Sequence, residues 1–237
     1  DSTAAYFSYM SRKGWPFYIF ANFFLKRKKR GRTRWGCFPL SFSLKTKNDL
    51  ARIWPQQRCC QLGELAALFR MDGSVQVTAS EKQNLLLITE NAAVARKFIK
   101  LSKQLFEVAT HIGVRRKLRL KKNNIYIIKL PPQKNLETML TTLGIKVSHQ
   151  GLEFDWQAMP LERPCCYRSY RRGAFLGAGS VNDPEGNYHL ELISQDVNHI
   201  KLLAQLMKKF ELLPKVSRRK QWYVLYLKES EQIINFL

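Results

Sequence analysis

The sequence predicts an α+β fold built from a duplicated αββαββ(α) unit, and three observations lead there. First, CCQLGELAALFRMDGSV at 59–75 returns as CCYRSYRRGAFLGAGSV at 165–181, with six of seventeen aligned positions identical. The matches are both cysteines, Phe69 with Phe175, and the Gly-Ser-Val endings, which marks an internal repeat. Second, each copy is followed by a strand, a turn, a second strand, a helix and a basic hairpin, so strands and helices do not alternate as in a parallel βαβ fold. Third, the apolar positions of Leu62 to Met71 cover nearly the whole helical circumference, and a helix apolar all round is buried.

The elements follow in order. Residues 1–37 read as a non-domain tail, of the kind an over-extended translation start produces, because the apolar run Trp15 to Leu25 precedes the basic run KRKKRGRTR, the reverse of a secretory signal. Eleven residues are also too few to span a bilayer, which needs about 20. The first unit, within 38–150, runs from the repeated helix through SVQVTA and LLLITE to a helix with Val94, Phe98, Leu101, Leu105 and Val108 on one face. Its hairpin, 114–130, turns at Lys122-Asn123-Asn124, and a further helix begins near Pro132. The second unit, within 151–237 after a linker, has a turn at Asn182-Asp183-Pro184-Glu185-Gly186-Asn187, the strand YHLELIS, a helix with Val197, Ile200, Leu203, Leu206 and Phe210, and a hairpin turning near Arg219-Lys220. Small residues (Ala66, Ala67, Gly173, Ala174, Gly177, Ala178) let the two repeated helices approach closely, so the copies are expected to pack as a pseudo-dimer.

Charge narrows the partner. Forty Lys and Arg against 18 Asp and Glu give +22 and a pI near 10, and without residues 1–37 the balance is still 31 against 17. Such an excess favours a polyanion, because neutralised phosphates release counterions. The chemistry of sites excludes more. Gly173, Gly177 and Gly179 fall in a GxxxGxG order with no preceding strand, which suits close helix packing and not a nucleotide loop. The four histidines share no ligand spacing, and no cofactor is implied. Cys59-Cys60 and Cys165-Cys166 lack the C-x₂-C spacing of a zinc site, and adjacent side chains are expected to diverge, so the cysteines read as small packing groups in a reducing compartment.

The helix Leu65-Ala66-Ala67-Leu68-Phe69-Arg70-Met71-Asp72-Gly73, written twice, resembles the LAGLIDADG motif of homing endonucleases. The closer resemblance is to the WhiA family of bacterial regulators, on SFSLKTKNDLARI (41–53), RCC, ELAALFRMDGSV, RGAFLGAGSVNDPEGNYHLEL (172–192) and WYVLYLKESEQIINFL. The resemblance implies two antiparallel sheets forming a saddle, double-stranded DNA as partner, and a cytoplasmic, nucleoid-associated role in transcription, cell division, chromosome segregation or sporulation. It also implies a C-terminal helix-turn-helix that this chain lacks, and leaves room for a regulatory protein partner but none for a membrane. In the endonucleases the last acid of each helix helps hold divalent ions at the scissile phosphate. Here that position is Asp72 in the first copy and Ala178 in the second, so the acid is vestigial, and neither catalytic nor metal-binding residues are expected. The alternative is a divalent-metal endonuclease with one degenerate site.

DNA contacts are expected on the hairpins. Residues two apart share a strand face, so Arg115, Lys117, Arg119 and Lys121 form one basic stripe, with Leu118 and Leu120 on the other face beside Arg116. Arg218, Arg219 and Lys220 lie at the equivalent hairpin of the second copy, and Arg168, Arg171 and Arg172 at the second helix are lesser candidates. Contacts of this kind set affinity and orientation, not sequence choice.

Overall fold

The computed structural model describes residues 41–77, 83–116, 124–148, 151–155, 157–159 and 161–237. Helix α1 (Phe42–Arg52) starts at Ser41, whose hydroxyl accepts from the Leu44 amide at 3.3 Å. The first copy then runs α2 (Arg58–Asp72), β1 (Gly73–Val77), β2 (Gln83–Thr89), α3 (Ala92–Phe106), β3 (His111–Arg116), β4 (Asn124–Leu130) and α4 (Lys134–Thr142). Between the copies lies a hairpin of β5 (Ile145–Ser148) and β6 (Gly151–Phe154). The second copy runs α5 (Pro164–Ala178), β7 (Gly179–Val181), β8 (Leu190–Ser194), α6 (Val197–Lys208), β9 (Lys215–Arg219), β10 (Trp222–Leu227) and α7 (Ser230–Phe236). The α+β duplication is therefore real element by element. Both copies make a four-stranded antiparallel sheet of the same order, β1-β2-β4-β3 and β7-β8-β10-β9.

The local devices are repeated too. Asn91 caps α3 by accepting from the amides of Ala93 and Val94, and Asp196 caps α6 by accepting from that of Asn198. Just before each cap a hydroxyl, Thr89 or Ser194, accepts from the capping residue's own amide.

Two elements depart from expectation. Helix α1 belongs to the packed body, and part of the expected linker is the β5–β6 hairpin. Gly144 makes the entry to that hairpin with φ +65, and a Cβ there would lie 2.1 Å from the Asp155 carbonyl oxygen.

Helices α2 and α5 pack along one another at the centre. Leu65, Ala67, Leu68 and Phe69 of α2, and Ala174, Phe175 and Leu176 of α5, are fully buried. Each large one contributes about 1.5–3 kcal/mol relative to exposure. The close approach rests on absent side chains. A Cβ on Gly173 would lie 2.5 Å from the Glu64 carbonyl oxygen, and one on Gly177 would lie 2.6 Å from the Met71 Cβ.

One charge cluster sits in this interface. Glu64, completely buried, receives Lys97 of α3 at 2.6 Å and Arg172 of α5 at 2.8 Å. Lys97 also donates to the Ile53 carbonyl at 2.6 Å, just past the end of α1. One carboxylate thus ties both central helices to α3 and α1.

Candidate nucleic-acid interface

Residues paired across antiparallel strands share a face, so the registers sort every strand position. In the first sheet Leu85, Leu87, Ile128 and Leu130 are buried on the helix side, which leaves His111, Arg115 and Lys129 on the other. In the second, Leu190, Leu192, Leu225 and Leu227 are buried on the helix side, which leaves Lys215 and Arg219 on the other. Ile112 pairs with Ile128 as Val216 pairs with Leu225, so Arg115 and Arg219 occupy equivalent positions in the two copies.

Of the expected stripe, Arg115 lies, half-buried, on the face opposite Leu85 and Leu87, a face that also carries the buried Leu86 and Ile125, and Arg116 lies on the other, as the alternation predicts. Lys117, Arg119 and Lys121 lie outside the described residues. The second cluster is divided. Arg219 faces with Arg115, whereas Arg218 is on the helix side with its guanidinium over Tyr223 at 5.8 Å, and Lys220 turns the hairpin at φ 56.

The two faces differ in charge. Glu191 in β8, only 2% exposed, lies 3.7 Å from Arg219, 3.1 Å from His189 and within reach of the Ser180 hydroxyl. The equivalent residue of the first sheet is Leu86, since Ser74 pairs with Leu86 as Ser180 pairs with Glu191. A pocket of about 450 Å³ beside Glu191 is lined by Asn182, Tyr188, His189, Ser217, Arg219 and Tyr226. Sequence reading missed Glu191 because the alternation in YHLELIS separates it from Leu190 and Leu192 without showing its partners.

Of the arginines of α5, Arg171 and Arg172 are engaged inside the protein, while Arg168 is exposed. Arg172 is engaged with Glu64 through Nε and Nη2. Arg171 is buried between the rings of Phe210 and Phe236 and donates to the Asn235 carbonyl at 3.1 Å. Arg168 stacks over Phe210 at 5.1 Å. Arg70, from the end of α2, crosses to Asp196 at 2.6 Å, beside the buried pair of Tyr170 hydroxyl and His199 Nε2 at 2.9 Å.

Where a metal cage would need two acids there is one acid and one cation. Asp72 is the last residue of α2, and among the described residues its buried Oδ2 has no hydrogen-bond partner. Burial pushes its carboxyl up to about 7, against the opposing pull of the Lys47 ammonium. Lys47 reaches in from α1 and donates to the Gly177 carbonyl at 2.9 Å, at the end of α5 where the second copy has Ala178 in place of the acid. Burial pushes the Lys47 ammonium down to about 8, with Asp72 and Glu90 acting to raise it. The resemblance motif contained Lys47, but nothing in its spacing announced this contact.

Residues 58–146 match the family profile of the WhiA N-terminal LAGLIDADG-like domain, and 167–237 that of the WhiA LAGLIDADG-like domain. The chain belongs to the WhiA family. It is 52% identical over 198 residues to a probable cell division protein WhiA of Heliobacterium modesticaldum, and 51% identical over 203 residues to one of Desulforamulus reducens. In both cases the match covers 84% of this chain and 62% of the relative, so the chain spans about three fifths of the length of these WhiA proteins. The fold is that of full-length DUF199/WhiA from Thermatoga maritima, with TM-score 0.63 and 21% identity over 83% of this chain and 60% of that one. It is also that of the homing endonuclease I-DmoI in complex with DNA and Mn, with TM-score 0.51 and 10% identity over 74% of this chain and 93% of that one. Among the described residues no helix is long and apolar enough to cross a membrane.

Proposed function

We propose that the chain is the non-catalytic DNA-binding scaffold of a WhiA-type regulator of transcription and cell division, acting in the cytoplasm on double-stranded DNA at the nucleoid. The observation that carries the non-catalytic part is the Lys47 ammonium. It supplies positive charge beside Asp72 at the point where an endonuclease would need a divalent ion, and Ala178 offers no second acid. One carboxylate already facing an ammonium is a poor cage for a hard cation that takes several oxygen ligands.

DNA binding is supported by the equivalent arginines Arg115 and Arg219 on matching sheet faces, by Lys129 and Lys215 on those faces, and by the charge of +22. The hairpins would hold phosphates, contacts that set affinity and orientation and not sequence choice. Sporulation, chromosome segregation and a regulatory protein partner belong to the same reading.

The test is duplex binding across a salt series with magnesium, followed by a denaturing gel of the DNA. Affinity falling steeply with salt and intact strands agree with the scaffold. Nicked strands, lost on Asp72→Asn, would hand the site to the one-site endonuclease reading. No binding at any salt would remove DNA from this part of the chain.

A further inference from the structure

Each buried helix begins with an adjacent cysteine pair, Cys59-Cys60 as the second and third residues of α2, and Cys165-Cys166 as those of α5. Because the helices pack side by side around a pseudo-twofold axis, the two pairs converge. The Sγ atoms of Cys59, Cys60 and Cys166 all lie within 4.8 Å of one another. The fourth thiol, Cys165, is 3.3 Å from the Gln57 side-chain oxygen, which also lies 3.7 Å from Cys59 Sγ and 4.0 Å from Cys60 Sγ. The divergence of adjacent side chains expected from the sequence fails for Cys59 and Cys60, whose sulfurs lie within 4.8 Å of each other.

The surroundings bring positive potential to the thiols, against burial that pushes the Cys60 thiol up to about 12 and also raises that of Cys166. Two fifteen-residue helices present their N-terminal ends here, neither has an acid in its first turn, and Arg58 and Arg163 stand at their starts. Helix N-termini and nearby cations stabilise thiolates. Cys60 and Cys166 are buried while Cys59 and Cys165 are half-buried, so the cluster is anchored from below and reachable from one side. Packing alone does not require three thiols around a single amide oxygen with a fourth, Cys166, beside two of them.

We propose that Cys59, Cys60, Cys165 and Cys166 form a thiolate site for one tetrahedral, thiophilic cation of the zinc class, clamping α2 to α5 across the pseudo-twofold axis. A zinc–sulfur distance of about 2.3 Å sets sulfurs about 3.8 Å apart, so three sulfurs already within 4.8 Å of one another would draw in and Cys165 would complete the tetrahedron. Binding exchanges thiol protons for metal–sulfur bonds and releases those protons to solvent, with no change of oxidation state. The site is structural: it lies at the opposite ends of α2 and α5 from Asp72 and Ala178.

The experiment is cobalt(II) titration of the reduced full chain carrying Cys37→Ser, which removes the one cysteine outside the cluster. One equivalent should bind with a thiolate-to-cobalt charge-transfer band, tetrahedral d–d bands and proton release, and zinc should displace it. Cys166→Ser should abolish the band. Should that variant fail to fold, the half-exposed Cys165→Ser should weaken the band in a chain whose circular dichroism is unchanged. A folded chain giving no charge-transfer band overturns the proposal. So does a disulfide across the two pairs, found by non-reducing peptide mapping in a chain that refuses metal after reduction.

Discussion

Asp72 and Lys47 face each other across the ends of the central helices, and each perturbs the other's proton affinity. Lys47→Met removes the charge that holds the Asp72 carboxyl down, so that carboxyl should titrate still further above its present value of about 7. Carbon NMR of the side chain reads this directly, and an unchanged midpoint would mean the two do not interact. His199 supplies a second, opposite pH signature. Burial, aided by Arg70, depresses its imidazole to about 3, so the unfolded chain takes up a proton near 6.5 that the folded chain refuses. Stability should therefore fall as pH drops below 6.5, by up to about 1.4 kcal/mol per pH unit. Asp72 works in the other sense. Its raised carboxyl contributes stability that is present at low pH and lost as pH rises through about 7, so the His199 slope is best read in an Asp72→Asn background. Urea unfolding of that variant with and without His199→Gln isolates it, and equal acid slopes would remove His199 as the cause.

Among the elements, α2 and α5 decide stability. Alanine in place of an ordinary helical glycine would stabilise by about 1 kcal/mol through propensity. At Gly173 the new Cβ would lie 2.5 Å from a backbone oxygen of α2, so overpacking of about 1–3 kcal/mol should win. Gly173→Ala should lower the urea midpoint, and a rise would mean that the helices separate freely. The buried Glu64 cluster makes a larger prediction. Glu64→Gln leaves Lys97 and Arg172 buried without their anion, at a cost of about 3–5 kcal/mol in unfolding free energy. A loss below about 1 kcal/mol, the range of exposed pairs, would mean that water reaches the cluster.

Taken as a whole molecule, the pseudo-dimer is symmetric in fold and asymmetric in charge. Arg115 and Arg219 are equivalent, yet Glu191 sits at 3.7 Å from Arg219, and the first sheet carries Leu86 in its place. If these sheet faces bind DNA, Arg115→Glu and Arg219→Glu should each weaken binding and lower the salt slope by about 1 for every phosphate that the chain no longer neutralises. Glu191→Gln should strengthen binding. No effect of either reversal in a fluorescence-anisotropy salt series would detach the DNA surface from these positions.

The sequence by itself determined the duplication, the α+β class, the order of elements within each copy and the burial of the repeated helices. These follow from local periodicity, turn residues and a written repeat, all of which act between near neighbours along the chain. It also placed Arg115 and Arg116 on opposite faces, because strand alternation has a period of two. The tertiary structure decided what depends on distant segments meeting. Lys47 reaches the Gly177 carbonyl, Arg172 is taken by Glu64, Glu191 offsets Arg219, and Cys59, Cys60 and Cys165, from pairs 106 residues apart, gather around Gln57. No spacing rule along one strand or helix encodes such meetings, since they arise only when the two halves close around α2 and α5.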